Sequence, residues 1–147
     1  MTRLSPPLRR LASSESAEHL RAKHRLARWL SAFAAEAHTP DFRVLVEYPF
    51  TEGGGGIIAW DQSGFERKPT RQTLRKRWGA VICICDLVLI EGDKVTTAIE
   101  VVKTNATPQW KLDWLHSHGV AVYEALAEAV LEGKERPQSF DSLLMPT

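Results

Sequence analysis

Cysteine is scarce in this 147-residue chain, and its two copies, Cys83 and Cys85, stand two positions apart. Such a pair cannot build a disulfide framework and fits a reducing compartment. Long apolar runs are missing too. The longest, residues 81–90, contains Asp86 and is far shorter than the roughly 20 residues a membrane-spanning helix needs. The opening residues (MTRLSPPLRRLASS) carry arginines but no apolar stretch, so no secretory signal is expected. An excess of one charge is also lacking, with 19 basic against 18 acidic side chains. What remains is an ordinary globular composition at a length that suits one domain. We expect a cytoplasmic protein with no membrane segment, a loose tail over residues 1–12 and a single domain over 13–147.

The balanced charge hides an asymmetry. Residues 67–77 hold six cations, Arg67, Lys68, Arg71, Arg75, Lys76 and Arg77, and no acid, while residues 113–135 are acid-rich. A positive face for nucleic acid is therefore open to this chain, as is a merely solvated basic helix.

Periodicity predicts a helix from Ser13 or Ser14, either of which can cap it, to about Ala37. Its apolar stripe is Leu20, Leu26, Ala27, Leu30, Ala34 and Ala37, with Lys23 in the middle. A lysine among core positions needs an anionic partner. Strands are predicted over residues 42–50, 80–90 and 95–103, with a short edge strand over 57–60 and a basic helix over 68–78. Thr107 then caps a helix that opens on Pro108 and ends at His118-Gly119. A strand over 120–123 and a helix over 124–131 close the chain. The order is α-β-β-β-α-β-α, an α/β fold with a central mixed sheet flanked by helices.

Two acids interrupt the apolar strands: Asp86 in VICICDLVLI and Glu100 in TTAIEVV. If Gly92-Asp93-Lys94 form a three-residue loop, Asp86 falls opposite Glu100, with Cβ atoms about 4.5–5.5 Å apart. A two-residue loop would put the acids on opposite faces. Two carboxylates so close need a proton or a cation between them. A hard divalent ion held by carboxylates, a backbone carbonyl and water meets that need, and magnesium takes such sites beside substrate phosphate. The alternative places both acids at strand ends, against solvent or arginine. A second constellation, Cys83 and Cys85 with His116 and His118, has the right number of ligands for zinc, although buried free cysteines also behave as small hydrophobes.

The helix SAEHLRAKHRLARWL, the strands CDLVLI and AIEVVKT, and Thr-Pro before a helix leading into GVAVYE resemble the PD-(D/E)XK nuclease superfamily. They resemble in particular the nuclease-like domain of CoiA-type competence proteins. The resemblance implies a restriction-endonuclease-like core and a metal-dependent nuclease acting on DNA. It implies Mg2+ (or Mn2+) held by Asp86, Glu100 and the carbonyl of Val101, with a helix acid, Glu18 or Glu15, joining them. Resemblance favours Glu18, which precedes His19. Geometry favours Glu15, about 80 degrees from the centre of the stripe against about 140 for Glu18. The family's lysine position is Val102 here, and Lys103 alternates to the other face. Lys23 from the helix is the first candidate for that role, loss of the lysine the second, and a bulge restoring Lys103 the third. His19 would bond within the site or position a phosphate, or simply sit half-buried. Arg67, Lys68, Arg71, Arg75, Lys76 and Arg77 would grip the sugar-phosphate backbone, and a homodimer or larger nucleoprotein complex would be the working form. Without a working lysine, the same scaffold would be an inactive module that binds nucleic acid or a protein.

Overall fold

A computed structural model describes residues 16–37, 42–52, 79–92, 94–103, 105–133 and 135–147. The expected tail, Glu15, the edge strand over 57–60 and the basic segment from Arg67 to Arg77 lie outside the described residues. Within them the chain is α/β. Helix α1 (Ala17–Glu36) precedes strands β1 (Phe42–Thr51), β2 (Val81–Glu91) and β3 (Lys94–Val102). Helix α2 (Gln109–Ser117), strand β4 (Ala121–Leu126), helix α3 (Ala127–Glu132) and a two-residue strand β5 (Met145–Pro146) follow. The five strands lie in the order β1-β2-β3-β4-β5. All neighbours are antiparallel except β3 and β4, which run parallel with α2 as their crossover.

Local chemistry sets the boundaries. The α1 cap is Ser16, not Ser13 or Ser14: its hydroxyl accepts the His19 amide at 3.0 Å. Pro108, rather than Thr107, occupies the cap position of α2, and the Thr107 amide donates to Glu124 at 2.8 Å. The far end of α2 is as expected. Gly119 takes φ 78°, Val120 donates to the Leu115 carbonyl and Gly119 to that of His116, each at 3.0 Å. That pair of bonds is a Schellman stop, and Val120 and Leu115 complete it by sharing a core cluster. The strand after it runs through Leu126, so Glu124 belongs to β4 and not to the last helix.

Two apolar clusters cover the two faces of the sheet. On one, Ala22, Leu26, Ala27 and Leu30 of α1 and Val130 of α3 pack on Leu87, Ile99, Val101 and Ala125. On the other, Leu115 of α2 packs with Tyr48, Phe50, Cys85, Val88, Ile90 and Val122. No helix among the described residues is long and apolar enough to cross a membrane.

The β2–β3 register combines both loops that the sequence allowed. Glu91 pairs with Lys94, which leaves a two-residue turn, and Gly92 takes the positive φ of 67° that such a turn requires. A bulge then falls between Leu89 and Ile90 on the β2 side and leaves Thr96 as the extra residue of β3. Leu89 pairs with Thr97, Val88 with Ala98 and Leu87 with Ile99, so the next step faces Asp86 with Glu100. The expected three-residue loop is corrected, and the bulge restores the register it would have given.

Candidate functional site

Four acids stand at one level of the sheet, one on each long strand. Glu47 faces Asp86 between the pairs Val46–Leu87 and Tyr48–Cys85, and Glu100 pairs with Glu124 across the parallel ladder. At this level the strands β2 and β3 leave their regular ladder. The amide of Asp86 donates to Glu100 Oε2 at 2.9 Å, and the amide of Val101 donates to Asp86 Oδ2 at 2.8 Å. Each carboxylate thus replaces a backbone carbonyl of the neighbouring strand. This satisfies amides that the parting strands would otherwise orphan.

Beyond that crossing the two acids part company. Asp86 turns to the α1 side, with His19 Nε2 at 3.4 Å from Oδ2 and Lys23 Nζ at 3.9 Å from Oδ1. Lys23 also donates to Glu47 Oε2 at 3.0 Å. Glu100 turns to the α2 side, where Lys111 Nζ lies 2.5 Å from Oε1 and also donates to the Ile84 carbonyl at 2.8 Å. The expectation that both carboxylates share one face is therefore corrected. The cause is a switch of faces within both β1 and β2. Val44 and Val46 pack under α1 while Tyr48 and Phe50 pack under α2, and likewise Leu87 lies on one face and Cys83 and Cys85 on the other. Glu47 absorbs the switch in β1 with φ 56°, the one positive value among the described non-glycine residues.

The two sides differ in wetness. Lys23 is 2% exposed, but its partners Glu47 and Asp86 are 39% and 20% exposed, so water reaches their carboxylates. On the other side Lys111 and Glu100 are 11% and 10% exposed. Burial pushes the Glu100 carboxyl above the usual range, against the pull of Lys111. Burial also pulls on the Lys111 ammonium, but Glu100 and the neighbouring thiols outweigh it and hold the group above the ordinary lysine value. Beside them Cys85 is raised by its hydrogen bond with Cys83 and by burial.

The remaining expected residues scatter. Glu18 does not join the acids: it pairs with Lys103 at 3.1 Å, both exposed. No bulge returns Lys103 to the site, because the bulge of β3 lies at its other end. The zinc constellation is not assembled. Cys83 and Cys85 are core residues, while His116 meets Thr147 and His118 stacks on Trp114. Among the described residues no group of three or more His, Cys, Asp or Glu comes together in a form that could hold a metal ion.

Three participants were missed in the sequence. Lys111 stands four residues before Leu115, the only buried residue of α2, and that spacing puts it on the inward face. Glu47 was hidden because residues 42, 44, 46, 48 and 50 are apolar or aromatic and read as one face of one strand. Glu124 was hidden by its assignment to a helix. Compared with known proteins, the chain matches no family model, no curated protein and no solved structure.

Proposed function

We propose that this chain is a divalent-cation-dependent nuclease that hydrolyses phosphodiester bonds in DNA, acting in the cytoplasm. The observation that carries the reading is the junction where β2 and β3 part. There Asp86 and Glu100 grip each other's strand and each lies beside a lysine ammonium, that of Lys23 for Asp86 and that of Lys111 for Glu100. The two acids as placed are not one donor set, but Asp86 by itself offers what a hard ion can use: magnesium is commonly held by one or two carboxylates, with water and substrate phosphate filling its other positions. Of the expected ligands, Asp86, the acid open to water, would hold Mg2+ or Mn2+, while Glu100, closed off with Lys111 on the other face, would fix the neighbouring strand whose Val101 amide holds Asp86 in place. The bound ion would supply charge to polarise the scissile phosphate and lower the pKa of a water.

The chain's own groups divide the other tasks. Lys23, fixed between Glu47 and Asp86, presents an ammonium that orients the attacking water and stabilises the negative charge of the transition state. His19, next to Asp86, offers a hydrogen bond to a phosphate oxygen. Lys111 holds Glu100 in place from the opposite face. Arg67, Lys68, Arg71, Arg75, Lys76 and Arg77 add sequence-independent affinity.

A plasmid-nicking assay in Mg2+ and in Mn2+ tests this. The wild type nicks, Asp86→Ala and Glu100→Ala abolish nicking, Lys23→Ala abolishes it and Lys103→Ala retains most of it. A wild type that binds DNA but cuts in neither metal overturns the enzyme. It favours the second reading, a nuclease-fold module that only binds nucleic acid or a protein. One observation favours that reading: an oxygen of each acid already accepts a backbone amide, and both acids lie beside ammonium groups.

A further inference from the structure

The outer side of α1 carries basic side chains that the site does not use. Counting 100 degrees per residue from Lys23, His24, Arg28 and Arg21 fall at about 100, 140 and 160 degrees, on the side away from the sheet. With Arg25, Leu20 and Leu131 they line a groove of about 370 Å³ between α1 and α3. No acid lines it.

These four side chains are not equivalent. Arg25 is committed to the end of α3: its guanidinium donates to the carbonyls of Gly133 at 2.6 Å, Leu131 at 3.2 Å and Val130 at 3.4 Å. It also lies 5.7 Å from the centre of the Trp29 ring. That set of bonds fixes the wall of the groove. Arg21, His24 and Arg28 are exposed and form no ion pair or hydrogen bond among the described residues. Arg21 and Arg28 are seven residues apart, about 10 Å along the helix. One strand of a duplex advances about 3.4 Å per phosphate, so the row spans roughly three phosphate-to-phosphate steps.

We infer that this groove binds the sugar-phosphate backbone of a nucleic acid strand, with Arg21 and Arg28 on phosphates, His24 between them and Leu20 and Leu131 beneath the sugars. The inference rests on the nucleic-acid part of the proposed function but not on cleavage. The groove faces away from Asp86 and Glu100, so it holds substrate without taking part in the chemistry. Backbone contacts of this kind are independent of base sequence and release counterions.

The test is fluorescence anisotropy of labelled 20-nucleotide single strands and duplexes, in chelator, from 50 to 200 mM salt. The wild type is compared with Arg21→Ala/Arg28→Ala and Arg21→Lys/Arg28→Lys. Arg136→Ala serves as a control for lost charge outside the groove. The alanine pair is expected to weaken binding about tenfold on every sequence and to lower the slope of log K against log salt by about 1.5–2. The lysine pair keeps most of both, and Arg136→Ala moves neither. Unchanged affinity and slope in the alanine pair overturn the inference. So does a wild type that ignores nucleic acid but binds poly-glutamate through the same arginines, since the groove would then take an acidic peptide. Groove-dependent binding with no nicking would sink the enzyme and leave the groove standing.

Discussion

The two lysine–carboxylate clusters sit at one level of one sheet, on opposite faces, and they are built for different conditions. On the α1 face Lys23 is buried while Glu47 and Asp86 keep contact with water. On the α2 face both Lys111 and Glu100 are shut in beside Cys85 and Leu115. A wet carboxylate can exchange its partner for an ion or a phosphate at small cost, since its charge is solvated either way. A dry pair cannot, because removing one partner leaves an uncompensated charge in a low-dielectric surrounding. The open cluster therefore suits chemistry, and the closed one fixes where Glu100 stands.

The sharpest way to break that comparison is to remove each lysine in turn. Lys111→Met should cost about 3–5 kcal/mol in urea unfolding, the loss typical of a broken buried pair. Lys111→Met with Glu100→Leu should recover much of that, because apolar groups of similar volume replace both charges. The pH dependence has a definite sign. The Lys111 pKa is raised in the fold, so its contribution is fully present below the unfolded lysine value and is lost as pH rises through the folded one. Lys111→Met should accordingly flatten the alkaline limb of the stability profile. Equal stability of the wild type and Lys111→Met at neutral pH would show that the pair is not closed.

Lys23→Met should cost only about 1 kcal/mol, since Glu47 and Asp86 can turn to water and methionine fills the same space. A loss as large as that of Lys111→Met would mean that the α1 face is as dry as the other, which removes the ground for placing chemistry there.

Much of the scaffold was legible because its signals are local. The helix-stop at His118-Gly119, the apolar strand around Asp86 and the middle of the stripe on α1 (Leu26, Ala27, Leu30 and Ala34) each follow from a few neighbouring residues, while Leu20 and Ala37 at the ends of the expected stripe are exposed. The opposition of Asp86 and Glu100 was legible too, although by the wrong loop: Thr96 bulges to cancel the two-residue turn, and nothing in KVTTAIEVV marks which residue will do so. The faces were not legible. Strict alternation puts Val46 and Tyr48 together, but tertiary packing on both sides of the sheet separates them at Glu47. Lys111 was overlooked because a lone lysine in a short helix ordinarily points to solvent.

Glu47 offers the finest test of how the open side is built. A non-glycine residue in the left-handed region costs roughly 1–2 kcal/mol, and glycine removes that cost while losing about 0.5–1 kcal/mol of its own through chain entropy. In the wild type the ion pair with Lys23 obscures this balance, so the comparison belongs in the Lys23→Met background. There Glu47→Gly should stabilise by about 0.5–1 kcal/mol, read as a higher urea midpoint at unchanged slope. In the wild-type background the same change should weaken nicking, because Lys23 loses its 3.0 Å partner and with it the fixed direction of its ammonium. Stability gained where activity is lost would identify the strained backbone as the means by which β1 brings Glu47 to Lys23. A destabilised Lys23→Met/Glu47→Gly chain would show instead that the positive φ is held at no cost by the packing around it.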